Sequence, residues 1–389
     1  MLTIEGRARR TLAYLAATAL TLTFGAAVSA QGRGFTLPRQ GFEATAQNPA
    51  NYTPQEAAAV ALVLKWIETT NNHDTPSHMA LIGDNAAFRG DPLELLRRGA
   101  RGYCAAFGFV GSRAWFGLNE LYVVGGPLDT LVLMKRTDIN SPYNGGLLGG
   151  YPVPLAALLR VQNGRVVEWY DMPTNKVSIG ALPFRPPLGG QQNIPERCRP
   201  YPEGGTSAPT PAATNATLPP AITYGTNKPE YWFNPYEESA AQAVRGWFAA
   251  RQAGNPLLLG AFVDANVSFR PAPADDLGKG RDSLLRTVCG YIGGRLELTE
   301  LFVVGGDYDS AVIARWNAYA ADGTRTQMGS FFRVQNGRIV EWMDTAVDGA
   351  SPATRANPNA AACETVNTAL APPAGAPPAG GRGGPPPGN

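Results

Sequence analysis

Two stretches of the chain carry an apolar run that breaks at Asn-Gly and resumes in β-branched and aromatic residues. In the first, residues 155–161 run into Asn163-Gly164 and continue as Val166-Val167-Glu168-Trp169-Tyr170-Asp171. In the second, Phe331, Phe332 and Val334 lead to Asn336-Gly337, followed by Ile339-Val340-Glu341-Trp342-Met343-Asp344. Asn-Gly between such runs specifies a two-residue hairpin turn, so each stretch predicts a β-hairpin. Side chains alternate faces along a strand. Val167, Trp169 and Asp171 are therefore expected on one face, with Glu168 and Tyr170 on the other.

The pattern upstream of each hairpin also occurs twice. Thr53-Pro54-Gln55-Glu56 supplies an N-cap, a proline at the first helical position and a glutamate three residues after the cap, opening a helix through Trp66. Asn234-Pro235-Tyr236-Glu237 opens its counterpart through Trp247, and the matched tryptophans read as core. A short helix is expected over residues 78–82. A strand is expected from Ala86-Ala87-Phe88-Arg89, matched by Val267-Ser268-Phe269-Arg270, with Asp84 and Asp264 closing equivalent turns. Residues 93–98 are expected to open a helix reaching Phe107, answered by a helix from Gly280. Glu120-Leu121-Tyr122-Val123-Val124-Gly125-Gly126 recurs as Glu300-Leu301-Phe302-Val303-Val304-Gly305-Gly306, and strands over residues 130–138 and 311–317 follow. The Gly-Gly pairs read as turns, because no phosphate-loop spacing precedes a helix. Two domains of one α+β design result, over residues 31–201 and 229–366.

The rest of the chain has another character. Arg7, Arg9 and Arg10 precede an apolar run over residues 11–28 and a Val28-Ser29-Ala30 cleavage-like site, so residues 1–30 read as a secretory signal peptide, with a loose twin-arginine fit. Residues 202–228 are rich in Pro, Thr and Ala and read as a linker; residues 367–389 read as a Pro/Gly tail too poor in large apolar residues to fold. No other apolar run is long enough to span a bilayer. A periplasmic or secreted location follows, and it makes the four cysteines readable as disulfides. Four cysteines allow three pairings. The symmetry of the two halves picks Cys104–Cys198 and Cys289–Cys363. The formal charge of +2 over 389 residues argues against a nucleic-acid surface. With His73 and His78 the only histidines and no Cys-His cluster, no metal or cofactor is expected.

Three helices followed by long antiparallel strands and a hairpin ending in Trp-x-Asp resemble the nuclear-transport-factor-2-like superfamily. The first half resembles its limonene-epoxide-hydrolase and SnoaL-like branch through Arg136-Thr137-Asp138 and Trp169-Tyr170-Asp171. The resemblance implies two tandem cone-shaped α+β barrels, each with three helices packed on a strongly curved antiparallel sheet. It also implies an Asp–Arg–Asp triad in which Asp171 activates water, Asp138 protonates an epoxide oxygen and Arg136 holds both. Trp169, Phe88, Tyr122 and His78 are the expected pocket residues, and the expected ligand is a small apolar or aromatic molecule. Two positions depart from that family: Phe88 and Gly90 stand where it holds its water with Tyr and Asn, leaving Tyr103, Tyr122 or His78 for that task. In the second half Asp344, Arg315 and Asn317 would form a degenerate site, Asn replacing the acid. An ungapped alignment of the halves instead sets Lys135 against Arg315, so either one copy carries a bulge or Arg136 and Asp138 face outward. The leading functional expectation is epoxide hydrolysis. A SnoaL-like lyase or isomerase acting on an aromatic substrate and a non-catalytic binding module are the alternatives. The tandem is compatible with an intramolecular pseudo-dimer.

Overall fold

The computed structural model describes residues 47, 49–90, 94–110, 114–140, 152–174, 196–203, 233–271, 277–291, 294–320, 322–347 and 360–371. The expected signal peptide, nearly all of the linker and the tail beyond Ala371 lie outside them. In the first half, α1 (Pro54–Asn71) and α2 (Thr75–Met79) precede β1 (Ile82–Gly90) and β2 (Glu94–Arg98). Then come α3 (Gly99–Val110), β3 (Ala114–Gly125), β4 (Thr130–Asn140), β5 (Pro152–Gln162) and β6 (Arg165–Pro173). The second half follows the same order: α4 (Pro235–Gln252), α5 (Pro256–Leu259), β7 (Val263–Arg270), β8 (Gly278–Lys279), α6 (Arg281–Val288), β9 (Arg295–Gly305), β10 (Ser310–Tyr319), β11 (Arg325–Gln335) and β12 (Arg338–Ala346), with α7 (Ala360–Ala369) at its end.

Each half forms a six-stranded sheet of identical order, β2-β1-β6-β5-β4-β3 and β8-β7-β12-β11-β10-β9. Most neighbours are antiparallel, but β1 runs parallel to β6 and β7 parallel to β12, a pairing absent from the expected antiparallel sheet. The helix starts follow the sequence: Thr53 and Asn234 cap α1 and α4, and Glu56 and Glu237 complete reciprocal capping boxes. Both hairpins turn on left-handed Asn and Gly, with φ of 53° at Asn163 and 49° at Asn336, as a two-residue turn matching strand twist requires.

Several local expectations are corrected. The helix expected over residues 78–82 lies earlier, at Thr75–Met79, because Asp74 caps it and Pro76 sits in its first turn. Residues 94–98 form a strand on the edge of β1 rather than a helix; Leu-Leu-Arg-Arg has no helical period strong enough to resist that pairing. Val167 does not share the face of Trp169. It is the extra residue of a bulge between β5 and β6, which returns Val166 to the Trp169 side. Helix α7 continues to Ala369, three residues into the stretch expected as tail.

The cysteines pair as symmetry suggested, Cys104 with Cys198 and Cys289 with Cys363. The first bond fixes residues 196–203 to α3, where Arg101 also donates to the carbonyls of Arg199 and Tyr201 and pairs with Glu203. Glu203 and Pro202, expected as linker, thus pack on the first half. No helix among the described residues is long and apolar enough to cross a membrane.

The faces of the two sheets remote from their helices share one apolar cluster, drawing Tyr122, Leu131, Leu133, Leu158 and Tyr170 from one half and Phe302, Ile313, Phe331 and Met343 from the other. Charged residues are buried here as balanced groups. Glu168 accepts from Arg89, Arg160 and, across the halves, both terminal nitrogens of Arg270 (2.9 and 3.1 Å). Burial pushes the Glu168 carboxyl up, but Arg270, Arg89 and Arg160 outweigh it and hold the group well below the usual carboxylate range. The second glycine of each Gly-Gly pair has a role beyond the turn. A Cβ at Gly126 would overlap the carbonyl oxygen of Val347, and one at Gly306 that of Thr174, so the backbones of the two halves meet at these points.

Candidate active site in the first half

The concave face of the first sheet, under α1 to α3, holds the residues expected to carry chemistry. Register settles their orientation. On β3, Leu118 pairs with Arg136 and Glu120 with Lys135, so Asn119 is an inserted bulge residue. Upstream of it Phe116 and Leu118 face the helices; downstream Leu121 and Val123 do. Residues 132, 134, 136 and 138 of β4 consequently share that face. The second half carries the same bulge, Arg315 pairing with Glu300 and Trp316 with Leu298. Both copies bulge on the preceding strand, and Arg136 points inward.

The Arg136 guanidinium bridges two carboxylates. Its Nε donates to Asp138 Oδ1 at 2.7 Å, and its Nη2 donates to Asp138 Oδ2 at 3.0 Å and to Asp171 Oδ2 at 2.8 Å. Asp138 is two residues along the same strand, whereas Asp171 lies two strands away on β6. Ala157, between them on β5 and opposite Asp171, is small enough to let the guanidinium reach across. The other oxygen of Asp171 accepts the Trp169 indole N–H at 2.6 Å. Planar and charged, such a fork fixes the relative placement of both acids.

An aromatic box surrounds the triad. The guanidinium carbon lies 4.1 Å from the Phe116 ring centroid and 5.9 Å from those of Trp66 and Trp169. Asn71 fixes Phe116 in turn, its side-chain amide accepting from the Phe116 N–H at 2.7 Å and donating to its carbonyl at 2.9 Å. Trp66 donates to the Tyr103 hydroxyl at 2.7 Å. Phe88 lies 4.6 Å from Trp169, centroid to centroid.

Burial dominates the electrostatics. It pushes the Asp138 carboxyl up to about 6, against the pull of Arg136 and with help from the charge of Asp171. Burial lowers the Arg136 guanidinium, but the two carboxylates more than compensate and hold it above its ordinary value. Burial also raises the Tyr103 phenol and depresses His78 to about 3, so His78 is a neutral core imidazole at physiological pH. Its Nδ1 stands 3.2 and 3.3 Å from the hydroxyls of Thr69 and Thr70, behind Trp66 and Tyr103 rather than beside the acids.

Two expected assignments are overturned. Tyr122 does not line this site. It faces the other sheet, stacked 4.7 Å from Phe302, because the Asn119 bulge shifts strand parity. Arg315 and Asn317 do not join Asp344 either. Arg315 is the counterpart of Lys135 and pairs with Glu300 and with Glu56 of the first half, while Asn317 donates to Glu297. Trp316 occupies the place of Arg136. It donates to Ser330, which donates to Asp344 at 2.5 Å, and the Trp342 indole donates to the same carboxylate oxygen at 2.6 Å. Arg251, from the last turn of α4, stacks 5.0 Å from the Trp316 centroid. The guanidinium of the second half thus comes from a helix, and its carboxylate faces a tryptophan and a serine. Phe116 and Asn71 were not singled out from sequence. Pairing Glu120 with Lys135 and Glu300 with Arg315 at equal spacing was the available signal for the true register.

Comparison with known proteins gives a family match within the second half. Residues 244–342 match the SnoaL-like domain family. Similar solved structures include an NTF2-like protein of unknown function from Mesorhizobium loti, at 27% identity over 29% of this chain and 95% of that one, with a TM-score of 0.26. A putative polyketide cyclase from Pseudomonas putida matches at 15% identity over 30% and 92% of the two chains, with a TM-score of 0.26. A putative ketosteroid isomerase from Kribbella flavida matches at 21% identity over 30% and 83%, with a TM-score of 0.26. No curated protein matches the chain. The matched residues 244–342 lie within the second half, and the first half carries a sheet of the same strand order.

Proposed function

We propose that the first half is an enzyme site that moves protons on a small apolar or aromatic molecule, in the manner of a lyase or isomerase, in a protein exported to an oxidising compartment. The observation that carries the reading is the Arg136 bridge between two carboxylates in a buried aromatic box. A carboxyl raised to about 6 can both give and accept a proton near neutrality. In this reading Asp171, the more exposed of the pair, withdraws a proton from the substrate, Asp138 returns one, and Arg136 holds the two at fixed separation. Trp169 orients Asp171 through its indole N–H.

Epoxide hydrolysis needs a water aimed at the ring, and the Phe88 side chain, packed on Trp169, supplies no hydrogen bond for one. That favours proton transfer between substrate atoms over hydrolysis. The two disulfides support export. The test is turnover on parallel panels of epoxides and of enolisable aromatic carbonyl compounds, comparing the native protein with Asp171→Asn and Asp138→Asn. The reading expects isomerisation or elimination products, reduced about 10²–10⁴-fold in each variant. Turnover of epoxides alone would favour hydrolysis. Ligand binding with no turnover on either panel would make the site a binding module.

A further inference from the structure

The triad stands beside an edge of its sheet. In the strand order of the first half β3 comes last, so no described strand of that sheet pairs with its outer side. On β3, Phe116 lies directly opposite Asp138 in register. Its ring centroid is 4.1 Å from the Arg136 guanidinium carbon, and Phe116 is 1% exposed. One ring on the edge strand thus abuts both the arginine and the more deeply buried of the two acids.

That edge is closed from a helix. Asn71, the last residue of α1, accepts from the Phe116 N–H at 2.7 Å and donates to the Phe116 carbonyl at 2.9 Å. A side-chain amide that takes both backbone groups of one residue does what a neighbouring strand would do. Both groups therefore point away from β4. Phe116 and Asp138 are then a non-hydrogen-bonded pair, the kind whose side chains approach most closely. Removing the amide would leave two buried backbone groups to find other partners, and water is the nearest substitute.

The second half supplies an internal comparison. Counting five residues on from the matched Trp66 and Trp247, the position of Asn71 is held by Gln252, which is exposed. Leu296, opposite Ala318, takes the place of Phe116 opposite Asp138. The half without the second acid has neither the ring nor the amide, although its sheet keeps the same strand order and the same bulge. Building the sheet does not require the clamp; the acid pair is what accompanies it.

We infer that Asn71 is a positioning residue for the first-half acids: by clamping the Phe116 backbone at the sheet edge, it holds that ring over Arg136 and keeps water from Asp138. This rests on the proton-transfer reading proposed above and deepens it. Asn71 moves no proton itself; it acts through Phe116.

The test reads the acid rather than the fold. The Asp138 carboxyl is followed across pH by isotope-edited infrared spectroscopy in the native full chain, in Asn71→Ala, in Phe116→Leu and in the double variant, with urea midpoints and turnover measured alongside. Burial is what raises this carboxyl to about 6, so admitting water should lower its titration by about one pH unit in Asn71→Ala. Phe116→Leu should lower it similarly, and the double variant should shift no further than the larger single change, because the two residues act in series. Asn71→Gln, the residue the second half carries there, replaces Asn71→Ala if that variant does not fold. A urea midpoint that falls while the titration stays at its native value would overturn the inference, since it marks a residue that serves the fold alone. Shifts that add in the double variant would overturn it too. A lowered titration in a protein that turns nothing over would leave the positioning role standing and remove the proposed enzyme; turnover that persists in Asn71→Ala with an unmoved titration would do the reverse.

Discussion

Replacing Glu168 by glutamine tests whether the two halves are held by a balanced buried charge cluster. The carboxylate accepts from Arg89 at 3.2 Å, Arg160 at 3.1 Å and Arg270 at 2.9 and 3.1 Å. The substitution keeps the shape and removes the charge. Arg160 retains Asp129, at 2.7 and 2.8 Å, but Arg270 and Arg89 lose their carboxylate inside a region where burial already pushes the Arg270 guanidinium below its ordinary value. Removing one partner of a buried ion pair costs about 3–5 kcal/mol, because the remaining charge stays desolvated. Equilibrium urea unfolding at pH 7, followed by tryptophan fluorescence, should register that loss. The pH dependence gives a second check. Glu168 is depressed in the fold, so its contribution is present above the unfolded value of about 4.3 and fades as pH falls through the folded one. The gap between the two proteins should be full at pH 7 and should close only in strong acid. Asp138 has the opposite sign, its contribution being lost as pH rises through about 6, but it acts equally in both proteins. A loss below about 1 kcal/mol at pH 7, or a gap independent of pH down to strong acid, would refute the reasoning.

Other consequences follow from the same geometry. Gly306→Ala sets a methyl group against the Thr174 carbonyl of the other half and should lower the thermal midpoint, by about 1–3 kcal/mol of stability. At Gly323, where nothing lies within 4 Å, the same change should cost only the backbone strain of a φ near +84°, about 1 kcal/mol. Reducing both disulfides releases sequence separations of 94 and 74 residues and should destabilise the chain by about 4 kcal/mol per bond, read as a drop in urea midpoint on adding dithiothreitol. Because the first bond anchors residues 196–203 on α3, its loss should also weaken ligand binding at the first-half site more than loss of the second.

Much of this fold was legible because local rules and tertiary packing agree. Thr53 and Asn234 cap helices with their glutamates, and Asn163-Gly164 and Asn336-Gly337 turn hairpins, for reasons contained within a few residues. The triad was expected from the family resemblance of Arg136-Thr137-Asp138 and Trp169-Tyr170-Asp171, while spacing alone left the facing of Arg136 and Asp138 open. Strand parity accounts for part of what was missed. Bulges at Asn119 and Val167 shift strand parity, and parity decides which face every later residue occupies. Tyr122 was assigned to the pocket on a parity that the Asn119 bulge reverses, and Arg315 to a second site because Arg315-Trp316-Asn317 was matched to Arg136-Thr137-Asp138 although its true counterpart is Lys135. Residues 94–98 were misassigned because an edge strand is fixed by its neighbour, which its own period does not reveal. Arg251 escaped notice because a helix, rather than the expected strand, delivers the guanidinium of the second half.

The coupling of Asp138 to Asp171 through Arg136 is tested most directly by following the Asp138 carboxyl with isotope-edited infrared spectroscopy across pH, in the native protein and in Asp171→Asn. Native Asp138 should titrate near 6, and the variant, relieved of its neighbour's negative charge and given the whole of Arg136, should titrate distinctly lower. An Asp138 that titrates in the ordinary carboxylate range, or one whose titration does not move when Asp171 is neutralised, would contradict the coupled acid pair on which the proposed chemistry depends.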